Sequence, residues 1–267
     1  MNRVEKRLEE LKKENKKAFI TYTTAGLPTL EKTEELIYAQ EESGVDILEI
    51  GIPFSDPVAD GPVIQDASYQ AILNGTTLKK VFNIMKKIRS KKCEAPIVFM
   101  MYYNTIYNYG VKDFVEKCIE CGVDGLIIPD LPFEEQRELK AALNENEASP
   151  ILIQLVSPVS KQRIPMLLEN ARGFVYCVSQ MGVTGKGGSF HKDIKEYLSE
   201  VKKISKIPVM VGFGIQKAQD VEPFADVVDG VIVGSHLIRT LKANDYSVQA
   251  VKDYTSEFKR ELNEQAG

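Results

Sequence analysis

The chain has 267 residues, 43% of them apolar and 27% charged, with a formal net charge of −4. That balance is ordinary for a globular protein. No block of five like charges occurs, which argues against a broad nucleic-acid-binding surface, and no apolar run approaches the roughly 18 residues of a membrane span.

Residues 1–17, MNRVEKRLEELKKENKK, lack the apolar core of a secretory signal. Val4, Leu8 and Leu11 recur there at helical spacing among charges, so the segment reads as an amphipathic helix covering one end of the main domain. Residues 18–24, AFITYTT, are β-branched and aromatic and read as a strand. A helix follows over 33–42. The alternation then repeats, with strands expected over 45–52, 96–103, 125–129, 151–156, 174–178, 209–213 and 227–233. Helices are expected over 63–73, 78–90, 111–121, 134–144, 161–170, 193–204, 218–224, 237–241 and 247–263. Eight strands, each followed by helix, argue for parallel pairing, because parallel neighbours need a crossover. No linker divides the chain. Residues 1–267 therefore read as a single-domain α/β fold, a (β/α)8 TIM barrel with an N-terminal covering helix. An open doubly wound sheet is the alternative, but no GxGxxG opens the first helix.

The four cysteines lie in apolar or helical contexts. Cys118 and Cys121 form a lone CxxC with no second pair or histidine cluster, so they read as two small residues on a helix face. This usage points to a reducing, cytoplasmic setting. His191 and His236 belong to no metal-spaced cluster, and no metal site is expected.

In such barrels chemistry sits at the C-terminal ends of the strands. The second strand carries Glu49 near that end, on the same side as Ile47, and runs into a Gly/Pro-punctuated loop bearing Asp56 and Asp60. A carboxyl inside an apolar strand needs a reason, because an unpaired buried charge is costly. Glu49 and Asp60 read as catalytic, Asp56 as a loop brace beside Pro57 and Asp46 as structural. Gly212 and Gly214 follow strand seven, and Gly234 and Ser235 follow strand eight, where backbone N–H groups and a helix N-terminus suit a phosphate. The glycine-rich stretch 179–190, SQMGVTGKGGSF, reads as a closing lid.

These segments together resemble the tryptophan synthase α-subunit family over essentially the whole chain. The resemblance rests on LEIGIPFSDPVADGPVIQ (48–65), MMYYN (100–104), GLIIPDLPFEE (125–135), GVTG (182–185), VGFGI (211–215) and VIVGS (231–235). It implies retro-aldol cleavage of indole-3-glycerol phosphate into indole and glyceraldehyde 3-phosphate. Glu49 would transfer protons and Asp60 would accept the indole N–H. By the family pattern Thr184 contacts Asp60 when the lid closes. Gly185, Phe213, Gly214, Gly234 and Ser235 would hold the phosphate, and Tyr22, Ile64, Tyr102, Ile153 and Tyr176 would lie near the indole. The resemblance also implies a β-subunit partner in an α2β2 heterotetramer, with pyridoxal phosphate only in that partner and no cofactor in this chain. A free-standing lyase, a mainly regulatory subunit and a sugar-phosphate isomerase on the same barrel are the alternatives. The chain departs from the family pattern at Thr21, Leu27, Thr105, residues 156–159 and Gln180-Met181, none of which touches either acid.

Overall fold

Alternation of side chains along short parallel strands builds the molecule. The structure, a computed structural model, describes residues 1–178, 188–212 and 214–264. Helix α1 (Arg3–Lys13) precedes strand β1 (Ala18–Thr24) and helix α2 (Leu30–Glu42). Strand β2 (Ile47–Gly51) leads to helices α3 (Pro62–Leu73) and α4 (Leu78–Ser90). Strand β3 (Ile97–Met100) is followed by α5 (Tyr103–Tyr109) and α6 (Val111–Cys121). Then come β4 (Gly125–Ile127), α7 (Arg137–Leu143), β5 (Ile151–Leu152), β6 (Gln154–Val156) and α8 (Ile164–Leu168). The chain continues through β7 (Val175–Cys177), α9 (Gly188–Ile204), β8 (Val209–Val211) and β9 (Gly230–Val233). It finishes with α10 (Ser235–Ala243) and α11 (Val248–Glu264).

All eight ladders among the described residues are parallel, in the order β5-β4-β3-β2-β1-β9-β8-β7-β6. The two ends of that order are consecutive in the chain. β5 pairs with β4 and β6 with β7, with only Ile153 between them. They are two halves of the expected fifth strand, switching neighbours at Ile153, and the sheet closes into the expected barrel of eight staves.

Successive residues point alternately inward and outward. Ile20, Ile47, Val98, Ile127, Ile151, Ile153, Phe174, Met210 and Ile232 fill the interior. Their chain neighbours Phe19, Leu48, Phe99, Leu126, Val175, Val209 and Val231 pack outward against the helices. Val4, Leu8 and Leu11 of α1 join the interior cluster, so this helix plugs the barrel floor, the covering role expected of it.

At that floor a short motif recurs. Val45-Asp46, Val123-Asp124 and Val228-Asp229 each stand just before a strand. Each aspartate bonds one residue of the neighbouring strand twice. Its backbone N–H donates to the carbonyl of Phe19, Ile97 or Val209, and its carboxylate accepts the N–H of the same residue, at 2.7, 2.8 and 2.7 Å respectively. Cations complete each clamp. Asp46 receives Arg7 at 2.7 Å and Lys259 at 2.5 Å, Asp124 receives Arg3 at 3.0 Å and Arg89 at 2.7 Å, and Asp229 receives Lys202. Arg3 and Arg7 belong to α1, so two clamps also fasten the plug.

Several element bounds differ from the sequence reading. The third strand stops at Met100 rather than 103, and Tyr103, read as strand, begins a helix, Tyr103–Tyr109, that was not expected. Asp130 accepts the Tyr103 N–H at 2.9 Å at its start, and Gly110, with φ 94°, separates it from α6. The helices expected over 134–144, 161–170 and 218–224 are partly or wholly 3₁₀, over 133–135, 158–163 and 218–227. Helix α9 begins at Gly188 rather than 193, and α2 begins at Leu30, where Thr29 caps it.

The Asp46 clamp yields a measurable expectation. Asp46→Ala leaves Lys259 and the Phe19 N–H without their buried acceptor, and removing one partner of such a group costs about 3–5 kcal/mol. Urea unfolding is expected to show a loss of that order. A loss under about 1 kcal/mol, the range of an exposed pair, contradicts the clamp.

Candidate active site

The barrel mouth is assembled from the inward-facing residues one layer above the apolar interior. On β1 this is Tyr22, on β2 Glu49 and on β7 Tyr176, while Met100 ends β3 in the same inward series as Val98. Tyr22 stands directly across the ladder from Glu49. Met100 packs against both the barrel interior and the cluster formed by Tyr22, Ala67 and Ile238. Ile64 and Leu27 join that second cluster, so α3 and the β1–α2 loop form its wall. Ile153 lies lower, within the interior cluster.

Glu49 is 1% exposed, and neither of its carboxyl oxygens has a hydrogen-bond partner among the described residues. Burial pushes its carboxyl up to about 8, and the neighbouring Asp60 carboxylate adds to the rise. Asp60 is half-buried on the β2–α3 loop. Burial raises it to about 6, against the lowering effect of a hydrogen bond from the Tyr102 hydroxyl to Oδ2 at 3.0 Å. Between those values Glu49 is neutral and Asp60 ionised. One is a proton donor and the other an anion, close enough to influence each other electrostatically.

Glycine makes room for the phenols. A β-carbon on Gly51 would stand 2.0 Å from the Tyr22 hydroxyl oxygen, and one on Gly212 would stand 2.9 Å from the Tyr176 ring. Only glycine admits those rings over the strand ends. Gly51 and Met100 escaped the sequence reading as site residues. A glycine ending an apolar strand, and period-two alternation from Val98, are the signals that could have found them.

On the far side of Tyr22, Gly234 stands at the N-cap of α10 with Ser235 as its first residue. A β-carbon on Gly234 would lie 3.4 Å from Tyr22 Cβ, so this helix start adjoins the phenol. The first N–H groups of a helix lack intrahelical partners and carry the positive end of its dipole. Gly214 is exposed, with φ 57°. An anion held at this rim would lie beside the aromatic pocket. Thr184, Gly185 and Phe213 lie outside the described residues, as does the lid stretch up to residue 187.

Asp46 serves the floor, as expected. Asp56 is exposed and accepts a bond from its neighbour Ser55. Cys118 and Cys121 are both buried on α6, and among the described residues no three His, Cys, Asp or Glu side chains converge as metal ligands. No helix among these residues is long and apolar enough to cross a membrane.

Residues 8–266 match the family model described as tryptophan synthase alpha chain. The chain belongs to the tryptophan synthase alpha chain family. It is 68% identical to the tryptophan synthase alpha chain of Lachnospira eligens, over 98% of this chain and all of that one. The alpha chain of Thermoanaerobacter sp. strain X514 is 44% identical over 98% of this chain and all of its own length. The crystal structure of tryptophan synthase subunit alpha from Legionella pneumophila superposes with a TM-score of 0.90 at 34% identity, covering 99% of both chains. A tryptophan synthase alpha chain carries out the lyase reaction on indole-3-glycerol phosphate within tryptophan biosynthesis. The acids and phenols of this mouth are the groups available for it.

The orphaned carboxyl also predicts a stability profile. Glu49 has a folded value above its ordinary 4.5. The stability it contributes is therefore full below about 4.5 and is lost as pH rises through about 8. Glu49→Gln stays neutral throughout. Its advantage over the wild type in urea unfolding is expected to be near zero at acidic pH and to grow across that window, by up to about 1.4 kcal/mol per pH unit. A margin that is the same at both ends of the window contradicts a buried neutral Glu49.

Proposed function

We propose that this lyase cleaves indole-3-glycerol phosphate with Glu49 as the proton-transfer group and Asp60 as the partner of the indole N–H. The observation that carries this reading is the buried Glu49 carboxyl, without a hydrogen-bond partner among the described residues, beside an ionised Asp60 at the barrel mouth.

The bond between indole C3 and the hydroxyl-bearing side-chain carbon breaks only once C3 is protonated. Neutral Glu49 gives its proton to C3, and the positive charge that results spreads onto the ring nitrogen. Asp60, as an anion accepting the N–H, stabilises that charge. The Glu49 carboxylate then takes the proton of the side-chain hydroxyl. As the aldehyde forms, the electron pair of the breaking bond returns to the ring and restores indole. The proton lent by Glu49 is recovered, so no net acid or base is consumed. A carboxyl near neutrality suits both halves of this exchange.

Tyr22, Ile64, Tyr102, Ile153 and Tyr176 shape the aromatic pocket in this reading, with Met100 as a further wall. Gly214, Gly234 and Ser235 hold the phosphate, together with Gly185 and Phe213, and Thr184 meets Asp60 on closure. All proton steps use carboxyl groups of this chain. Pyridoxal phosphate belongs to the reaction of the β partner.

Membership of this family implies work alongside a β subunit, and we take the assembly to be an α2β2 heterotetramer that receives the released indole. Val58 on the β2–α3 loop, Tyr107 on α5 and Val159 after β6 are 83%, 66% and 72% exposed, and all follow C-terminal strand ends. Apolar groups around the mouth support docking of a partner on that face.

Glu49→Gln is expected to cut kcat by about 10²–10⁴-fold or more while glycerol-phosphate binding persists, and Asp60→Asn is expected to lose most activity. Undiminished turnover in the Glu49 variant would sink the mechanism. Indole release measured alone and with the cognate β subunit tests the partnership. Co-elution with a raised rate is expected, and an unchanged rate without co-elution rejects the complex.

A further inference from the structure

Asp60 lies on an irregular loop, yet a residue outside that loop fixes it. The Tyr102 hydroxyl donates to Asp60 Oδ2 at 3.0 Å and accepts the Ala59 N–H at 2.9 Å. Its ring stacks on Phe54, with centroids 5.0 Å apart and planes 19° apart. Phe54 is itself held through its N–H and carbonyl by the Ser68 hydroxyl of α3. One tyrosine, placed after β3, thus grips the β2–α3 loop near its beginning and at its catalytic end.

We propose that Tyr102 is a positioning residue of the cleavage reaction, whose hydroxyl holds Asp60 in its ionised form and so decides which of the two acids carries the proton. The inference rests on the roles given above to Glu49 and Asp60. Two carboxyls sharing a low-dielectric cavity do not both ionise readily, and a donor to only one of them breaks the symmetry. The Tyr102 hydroxyl is that donor. It contacts Asp60, while neither Glu49 oxygen is bonded among the described residues. Among the described residues, the other titratable groups facing the pair are phenols, Tyr22 from β1 and Tyr176 from β7. Asp130, after β4, acts on Tyr102 itself. A second anion near Tyr102 disfavours its phenolate and keeps the hydroxyl a donor.

Tyr102→Phe removes the hydroxyl and keeps the ring on Phe54. Loss of a donor to the anion raises the Asp60 carboxyl, so the acid limb of kcat/KM is expected to move up by about half a pH unit or more. kcat is expected to fall about threefold on the acid side and to recover as pH rises past neutrality, with KM within about twofold. Carboxyl ¹³C titration of Asp60 in the ligand-free protein is expected to shift in the same direction. Phe54→Leu disturbs the stack but keeps the hydroxyl, and should leave the acid limb in place. An unmoved limb and unmoved Asp60 titration in Tyr102→Phe overturn the proposal. So does a uniform loss at every pH, or an equal shift in Phe54→Leu. Failure of the wild type to cleave indole-3-glycerol phosphate would instead overturn the functional reading, and the carboxyl titration would still decide whether Tyr102 controls Asp60.

Discussion

The mouth of this barrel is governed by the cost of placing a carboxyl where no group solvates it. Glu49 lies within an entirely buried strand, and neither of its oxygens is bonded among the described residues. An anion there would forfeit its hydration without compensation. The side chain therefore holds its proton at neutrality, as the proposed protonation of C3 would need. Asp60, one loop away, is less deeply buried and receives a hydroxyl donor, and it ionises first. Two acids of the same chemical kind take opposite parts because their surroundings differ.

That polarisation depends on the crowding around it. Tyr22 and Tyr176 close over the strand ends because Gly51 and Gly212 have no side chains to hold them away. The phenols stand beside Glu49 at the barrel mouth. The same packing brings Gly234, at the start of α10, against Tyr22, so the helix end proposed to hold the phosphate adjoins the phenol. A substrate with a flat ring at one end and a phosphate at the other matches that spacing of chemistries.

The opposite end of the barrel treats its acids differently. Asp46, Asp124 and Asp229 are satisfied by a strand N–H and by one or two cations each, and together they hold the strand starts and the α1 plug. Buried Asp46 and Asp124 and partly exposed Asp229, each with its partners in place, are structural fastenings. Glu49, buried without such partners among the described residues, keeps its proton instead.

Much of this was legible in the residues. Apolar runs punctuated by glycine and proline, repeated eight times with helical periods between, determine a parallel closed barrel, because parallel neighbours need crossovers and apolar strands need cover on both faces. The carboxyl in LEIGIP had to lie inward with Ile47, since strand alternation leaves one choice. Local composition misled where tertiary contacts decide. Residues 101–103 are apolar and aromatic but leave the strand, because Asp130 from the next unit draws the Tyr103 N–H into a helix start. The break at Ile153 arises from closure, when one strand must pair with two neighbours at different heights. The three aspartate clamps were hidden because their partners lie 20 to 213 residues away in sequence. Sequence by itself determined the barrel, the inward side of Glu49 and the family. Only the tertiary structure decided which acid is solvated and which is not, because desolvation and hydrogen bonding are properties of neighbours that the chain brings together from a distance.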